Sequence, residues 1–235
     1  MNETDTYREW EPPAAWGDVV ACCWEQRVVA DRVQRVLPDG HADVLFYATG
    51  AIDVVGLYDE VALPLLRQGT WIRGVRLRPE TVSAAFGIDG SSLRNVTAPA
   101  GDVLGARVAR RLVDGRALDV WLRSIEPDRR TAAAVELLRT RSIDDVAAEL
   151  EMSSRHIRRI MLADVGITPK AYQRVVRMQR FLQLAEEGTG LAVASAEAGY
   201  ADQSHLTRDV RALSGVTPAT LLDERTDPYP AGRSR

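Results

Sequence analysis

The spacing of apolar residues changes about halfway along the chain. Before residue 100 they form short β-branched or aromatic runs, at residues 44–47 and Ile52–Val55, and they alternate with polar residues over Trp71–Leu77, as in strands. From about residue 104 they recur every three to four positions, which is typical of amphipathic helices. The pattern predicts an α+β protein: a β-rich domain over residues 1–100, a helical connector over 101–130 and an all-α domain over 131–225.

The helical part contains an internal repeat. A segment beginning at residue 156 matches a second segment 49 residues later, and both read His-aliphatic-x-Arg followed by Gly-aliphatic-Thr-Pro. The matched pairs are His156 with His205, Arg159 with Arg208, Gly166 with Gly215, Thr168 with Thr217 and Pro169 with Pro218. A fixed offset of this kind predicts two copies of one structural unit.

The repeated residues are of the types that begin and end helices. Glycine readily takes a positive φ, so Gly166 and Gly215 are predicted helix ends. Threonine caps a helix and proline fits its first turn, so Thr168 and Pro169 predict a helix start. Further predicted starts are Ser142, Ser153, Asp202 and Thr217. Each copy is therefore a predicted helix-turn-helix unit, and a continuous helix from Pro169 to about Glu186 joins them.

The second helix of each unit carries side chains suited to DNA. Between Arg155 and Arg180 there are seven basic residues and one acidic residue, although the net charge of the whole chain is −3. Arginine and glutamine on a helix in the major groove can bond base edges, and basic side chains pair with phosphates. The joining helix spans about 27 Å, which approaches the groove spacing of about 34 Å once the radius of each unit is added. The predicted DNA contacts are Arg155, Arg158, Arg159, Lys170, Arg174, Gln203, Ser204 and Arg208.

Two motifs in the repeat are specific enough to indicate a family. One is Gly-Tyr-Ala-Asp-Gln-Ser-His-Leu-Thr-Arg at residues 199–208, and the other is Gly-Val-Thr-Pro at residues 215–218. With these motifs, residues 131–222 resemble the DNA-binding domain of the AraC/XylS family. The resemblance implies a transcription regulator that binds double-stranded DNA through the side chains named above on the second helices. One departure is Glu151, where the family usually has glycine, at a cost of about 1 kcal/mol if that residue needs positive φ.

The N-terminal half is similar to an uncharacterised domain commonly found ahead of this DNA-binding unit. The similarity rests on residues 16–24, 36–40 and 74–79, and it implies a β-rich, cupin-like domain with a sensory role. We hypothesise a pocket for a small-molecule effector whose occupancy changes dimerisation or the placement of the two units. The candidate pocket residues, each of which could instead be a core or strand-surface residue, are Trp16, Trp24, His41, Trp71, Arg73 and Arg76.

Composition limits the remaining alternatives. No run approaches the roughly 20 apolar residues that span a bilayer, and we expect a cytoplasmic protein associated with the bacterial nucleoid. The adjacent Cys22 and Cys23 are compatible with burial in a strand or with a thiol-responsive regulator. No phosphate loop, Cys/His cluster or Gly-x-Ser-x-Gly motif is present, so we expect no enzyme, metal or cofactor. A helical protein-interaction scaffold stays an alternative, and the further partners considered are a second copy in a homodimer and, for an activator, RNA polymerase.

Overall fold

The computed structural model describes residues 5–226, and its N-terminal part is built on antiparallel strands. They are β1 (Thr6–Trp10), β2 (Val20–Arg27), β3 (Arg32–Val33), β4 (Ala42–Tyr47), β5 (Ile52–Val55), β6 (Leu65–Leu66), β7 (Trp71–Leu77) and β8 (Thr97–Pro99). Six of them form one sheet in the order β1-β2-β7-β4-β5-β8, while β3 and β6 form a separate two-stranded ribbon. An isolated bridge between Val36 and Ala62 continues the pairing of these two strands, so the ribbon comprises residues 32–36 and 62–66. It faces both the sheet and the helical part of the chain.

The two faces of the sheet have different environments. On one face Val44 lies opposite both Val54 and Val75, and all three are buried in the main hydrophobic cluster. On the other face Trp24 lies opposite Gly74, where an added Cβ would be 2.0 Å from the indole ring. The bare backbone at position 74 therefore lets the indole lie directly against β7, where any larger residue would displace it.

The remainder of the described chain is helical. The helices are α1 (Val82–Phe86), α2 (Ala100–Leu104), α3 (Ala106–Arg111), α4 (Gly115–Arg123), α5 (Arg129–Leu138), α6 (Ile143–Glu149), α7 (Ser154–Ile160), α8 (Pro169–Glu186), α9 (Leu191–Glu197), α10 (Gln203–Ser214) and α11 (Pro218–Thr226). The predicted α+β class, with a β-rich part followed by a helical part, is confirmed. The long helix α8 has the predicted bounds. Within residues 5–226 no helix is both long and apolar enough to cross a bilayer.

The predicted helix caps form. The side chains of Ser142, Ser153 and Thr168 each accept a hydrogen bond of 3.2 Å from the backbone N–H three residues later. Asp202 accepts the corresponding bond from the N–H of His205 at 2.6 Å. Each bond satisfies a backbone donor that the first turn of a helix leaves without a partner. The helix starts are therefore fixed by local chemistry that is visible in the sequence.

Two hydrophobic clusters run through the molecule, and α8 belongs to both. The first contains the buried sheet face, the connecting helices and the first helix-turn-helix unit, as far as Tyr172 on α8. The second begins at Val175, one turn further along α8, and contains the second unit as far as Leu221. Because the first cluster crosses residues 100 and 130, the domain division at these positions stays a prediction.

The first unit contacts the N-terminal part through a close approach of two backbones. A Cβ added to Gly166 would lie 2.6 Å from the carbonyl oxygen of Gly90, and Gly166 has a φ of +101°. Next to this contact Asp164 accepts hydrogen bonds from the hydroxyls of Ser83 and Thr131. Gly166 is therefore required for the backbone conformation and also for the packing of the two parts.

The substitution Gly166→Ala should destabilise the protein by roughly 2 to 5 kcal/mol. The left-handed conformation costs about 1 to 2 kcal/mol for a residue with a Cβ, and the clash with Gly90 adds about 1 to 3 kcal/mol. The free energy of unfolding in urea measures the effect. Gly190→Ala is the matched control, since Gly190 has a φ of −58° and no atom within 4 Å of an added Cβ. Equal stability of the two variants would contradict this account of Gly166.

Candidate nucleic-acid interface and N-terminal cavity

The first helix-turn-helix unit consists of α6 and α7. Ile157 and Ile160 on α7, and Met161 after it, are buried, as the apolar spacing indicates. The opposite face of α7 presents Arg155, Arg158 and Arg159 to solvent. Three guanidinium groups therefore project from one short helix.

The end of the first unit differs from the expected plain helix end. After α7 the chain continues through a π-helical turn, Met161–Val165, and the N–H of Gly166 donates to the carbonyl of Met161 at 3.0 Å. Such a turn inserts one extra residue into the helical repeat. It lies where this segment packs against the N-terminal part, and no sequence signal for it was recognised.

The turn between α6 and α7 contains a strained residue. Glu151 has a φ of +52°, the left-handed conformation that the departure from the family pattern led us to consider. The N–H of the next residue, Met152, donates to the carbonyl of Ala147 at 2.8 Å, which closes the end of α6. The turn is formed with glutamate in place of glycine, at a cost of about 1 kcal/mol.

The second unit consists of α9 and α10. Leu206, Val210 and Leu213 bury one side of α10 in the second hydrophobic cluster. Gln203, Ser204 and Arg208 lie exposed on the other side, in the first half of the helix. The two units thus present polar and basic side chains from equivalent helices.

A carboxylate on α10 ties the second unit to α8. Asp209 is 11% exposed, and its Oδ1 accepts a hydrogen bond of 3.0 Å from Nε of Arg174. Its Oδ2 lies 3.7 Å from Nη1 of Arg177 and 3.6 Å from Nε2 of His205. Arg174, a predicted DNA contact, is therefore bonded within the protein, whereas Lys170 on the first turn of α8 is exposed. The sequence analysis missed Asp209 because its partners are 32 or more positions away on α8, except His205.

A cavity of about 190 Å³ lies between the sheet face that carries Trp24 and the β3–β6 ribbon. Among the six candidate pocket residues, the structure brings together Trp24, His41 and Arg76, which line it. The other three do not reach it. Trp16 donates through Nε1 to Asp119 on α4 at 2.8 Å, and Trp71 stacks with Arg73, whose guanidinium lies 4.7 Å from the ring centroid. These three side chains point to the other side of the sheet or to the helices.

Buried charges occupy one end of the cavity. The side chain of Arg76 is 8% exposed and lies 3.3 Å from Glu9, 3.3 Å from Asp39 and 3.4 Å from Asp43. Trp24 donates through Nε1 to Oδ1 of Asp43 at 2.7 Å. The sequence analysis did not find the three carboxylates, which come from β1, β4 and the loop before β4. We call these four charged residues the Arg76 cluster.

The environment shifts the pKa of two carboxylates of the Arg76 cluster in opposite directions. Burial raises the pKa of Asp39, but the charge of Arg76 and hydrogen bonds with His41 outweigh it, so that the pKa falls below its usual range. Burial also raises the pKa of Asp43, and there the nearby charge of Asp39 adds to the rise despite Arg76. The cluster therefore holds one firmly ionised carboxylate next to one whose charged form is disfavoured.

The same surroundings weigh against a thiol-responsive regulator. Burial raises the pKa of Cys22 to about 12, and it also raises the pKa of Cys23. A cysteine reacts as its thiolate, so both side chains are poor redox sensors at neutral pH. Within the described part of the chain no group of three or more His, Cys, Asp or Glu side chains could hold a metal ion.

The geometry defines a protein with two helix-turn-helix units joined by one helix, behind a domain with an internal cavity. Residues 146–224 match a family model described as a helix-turn-helix domain, and residues 8–99 match a domain of unknown function, DUF6597. The chain thus has a helix-turn-helix domain that is similar to those of the AraC/XylS family, preceded by a DUF6597 domain.

Similar proteins include one curated relative and several solved structures. The bifunctional transcriptional activator/DNA repair enzyme Ada of Escherichia coli (strain K12) is 29% identical over 76 residues, which are 32% of this chain and 22% of Ada. ToxT from Vibrio cholerae O395 is 11% identical, with a TM-score of 0.48 over 94% of this chain and 98% of ToxT. Wild-type ToxT of Vibrio cholerae strain SCE256 with a bound unsaturated fatty acid is 10% identical, with a TM-score of 0.44 over 94% and 96% of the two chains. The chain spans about a fifth of the length of Ada.

The substitution Asp209→Asn should lower the free energy of unfolding by about 2 to 4 kcal/mol. It removes the charge that offsets two partly buried arginines, and the loss is smaller than for a fully buried pair because Arg174 and Arg177 are 31% and 26% exposed. Chemical denaturation measures the effect. Glu149→Gln breaks an exposed pair with Arg141 and should change the stability by less than about 1 kcal/mol. If both variants lost equally little, Asp209 would not hold α10 to α8.

Proposed function

We propose that this protein is a transcription regulator that binds double-stranded DNA sequence-specifically through both helix-turn-helix units. The proposal depends on one observation. Two units of the same design expose arginine and glutamine from equivalent helices, and a single helix, α8, joins their cores. A helix-turn-helix unit places its second helix in the major groove, so α7 and α10 are the reading helices.

The length of α8 suits two successive grooves. Its 18 residues span about 27 Å, and the radius of each unit extends this towards the spacing of about 34 Å between major grooves on one side of DNA. Both hydrophobic clusters include α8, so the relative placement of the units is set by a helix and not by a flexible linker. One chain can then contact two grooves without a second copy.

The exposed side chains have separate proposed roles. In the first unit Arg155, Arg158 and Arg159 bond guanine edges or phosphates. In the second unit, Gln203 can form two hydrogen bonds with adenine, Ser204 can form a hydrogen bond with more than one kind of base, and Arg208 bonds a base or a phosphate. Lys170 contacts phosphate, whereas Arg174, bonded to Asp209, acts mainly by positioning α10. The scaffold alternative, in which these arginines are only solvated, is not favoured by any observed contact.

We also propose that the N-terminal cavity controls the DNA-binding units by taking up a small molecule. Gln179 of α8 lines the cavity and donates through Nε2 to the carbonyl of Pro38 at 2.6 Å. The ribbon residues Gln34 and Val36 line the same cavity, and Arg35 between them donates to the carbonyl of Ser214, the last residue of α10, at 2.6 Å. A ligand in the cavity would therefore lie beside two contacts with the DNA-binding part.

Other partners follow from this role and not from particular contacts. A DNA-binding regulator acts at the nucleoid, in the cytoplasm, and an activator also contacts RNA polymerase. Homodimer formation, expected from the sequence analysis, stays a prediction.

Arg158→Ala and Arg208→Ala should each weaken specific DNA binding by about 1 to 3 kcal/mol, which is roughly 5- to 150-fold in dissociation constant. Each removes one proposed contact without touching a buried residue. The measurement is the affinity for genomic fragments that the wild type selects, at a fixed salt concentration. Arg110→Ala on α3 is the control, since it removes the same charge from an exposed residue outside the helix-turn-helix domain.

Two results would contradict the DNA-binding proposal. One is equal affinity of the wild type and both helix variants for the selected fragments. The other is a protein partner whose binding survives high salt and the loss of Arg158, which would favour the scaffold. Equal weakening by Arg110→Ala would show a general effect of charge instead of contacts at α7 and α10.

Arg35→Ala should loosen the second unit where the ribbon touches it. Arg35 bonds the carbonyl of Ser214 and, through Nε, the carboxylate of Glu224 at 2.8 Å. Its loss should raise amide hydrogen exchange in residues 215–225 by roughly tenfold, since a hydrogen bond to a charged group contributes about 1.5 to 3 kcal/mol. Arg67→Ala, which breaks an exposed pair with Asp31, should leave exchange there unchanged. If hydrogen exchange were unchanged in Arg35→Ala, the ribbon would have no part in the proposed control of the second unit by the cavity.

A further inference from the structure

We propose that the ligand of the N-terminal cavity is a small cation with an apolar body, such as an arylalkyl amine. This inference rests on the proposed control by a small molecule and names the chemical class of that molecule. The volume of the cavity, the residues of its walls and the charges of the Arg76 cluster support it.

The volume sets the size of the ligand. The cavity measures about 190 Å³. An engineered protein cavity of about 150 Å³ binds benzene, so this one accommodates a single ring with a short tail. A long-chain lipid would not be enclosed in this space.

The walls favour an apolar body. The rings of Tyr7 and Trp24 line the cavity with their centroids 5.7 Å apart, and Leu45 and Ile72 line it beside them. Aromatic walls attract cations through the negative faces of the rings, in addition to burying apolar surface. An aromatic ring that carries an amine would bury apolar surface against these walls and would also place a positive charge near the faces of their rings.

The Arg76 cluster determines the sign of the charge. It holds three carboxylates and one guanidinium, which leaves an excess of negative charge next to the cavity. Arg76 lies within 3.4 Å of all three carboxylates, so its positive charge is already offset inside the protein, although its Nε–H makes no hydrogen bond among residues 5–226. Tyr7 and Cys22, which face the cluster, have raised pKa values and stay neutral. The Nδ1 atom of His41 lies 3.1 Å from the backbone carbonyl oxygen of Asp39 and 3.7 Å from its carboxylate.

Asp43 is placed to receive a ligand cation. It lines the cavity beside the indole of Trp24, and its Oδ1 atom lies 2.7 Å from Nε1 of Trp24 and 3.4 Å from Nε of Arg76. Burial and the charge of Asp39 raise the pKa of Asp43, in keeping with a carboxylate that lacks sufficient positive charge around it. A bound ammonium group would supply that charge in a site of low dielectric constant, where ion pairs are strong.

The test compares three probes of similar shape and different charge on the full chain. They are phenethylamine, which is a cation at pH 7, 2-phenylethanol, which is neutral, and 3-phenylpropionate, which is an anion. Isothermal titration calorimetry should give the amine a dissociation constant at least tenfold lower than the alcohol, with no binding of the acid. If the acid or the alcohol bound as tightly as the amine, or if none bound at millimolar concentration, the proposal would be wrong.

Charge-removing variants locate the binding site. Asp43→Asn should weaken the amine roughly tenfold and leave any binding of the alcohol unchanged, since about 1.4 kcal/mol of ion pairing corresponds to that factor. Glu9→Gln removes a different negative charge of the Arg76 cluster, on β1, and should also weaken the amine. It serves as a second variant because Asp43→Asn could disturb Trp24, which is bonded to Asp43. Glu25→Gln is the matched control, because its carboxylate pairs with Arg8 at 2.9 Å on the opposite face of β2. Equal affinity of all three variants for the amine would place its binding elsewhere.

The ligand experiment and the DNA experiment test the two proposals independently. DNA binding by the wild type without any probe tests the regulator proposal alone. Loss of the amine preference with intact DNA binding would overturn only the ligand class. A protein that bound the amine but no DNA would keep the ligand site and overturn the proposed regulator.

Discussion

The placement of the two helix-turn-helix units depends on one helix being buried in two cores. Tyr172 near the start of α8 belongs to the first hydrophobic cluster, and Val175, Met178 and Phe181 belong to the second. A joint of this kind cannot bend without exposing apolar surface, at about 25 cal/mol for each Å². The ion contacts of Asp209 with Arg174 and Arg177 fix α10 against the same helix. The exposed faces of α7 and α10 therefore keep a defined separation.

This constraint explains how an N-terminal cavity could affect DNA binding. The loop before β4 contacts α8 at two places: Gln179 bonds the carbonyl of Pro38, and a Cβ on Gly40 would lie 3.2 Å from the ring of Tyr172. The same loop carries Asp39 of the Arg76 cluster. A change of charge at that cluster would thus act on a loop that already touches the joining helix, and no long pathway is needed.

Local chemistry explains which parts of the fold the sequence predicts. The caps at Ser153, Thr168 and Asp202, and the bounds of α8, depend on residues within one turn of each other, so the repeat was sufficient to predict them. The Arg76 cluster and the bond from Arg174 to Asp209 depend on residues far apart in the chain. The π-helical turn at Met161–Val165 packs against Gly90, which is also distant in sequence. The candidate pocket residues all lie in the N-terminal half, but their types could not distinguish Trp24, in the cavity, from Trp16 and Trp71, outside it. That distinction comes from strand register, which places Trp24 opposite Gly74.

Glu151 and the Arg76 cluster both lower the stability of the fold, but for different reasons. At Glu151 the cost of about 1 kcal/mol is confined to a turn, and the neighbouring cap and buried Ile157 maintain the unit. At the Arg76 cluster three carboxylates share one guanidinium inside the protein, and burying charge without full compensation is among the larger costs that a fold can carry. An apolar cluster in the same place would be more stable. Buried polar groups that reduce stability while bordering a cavity are expected where a protein binds a ligand, since the ligand can supply the missing charge.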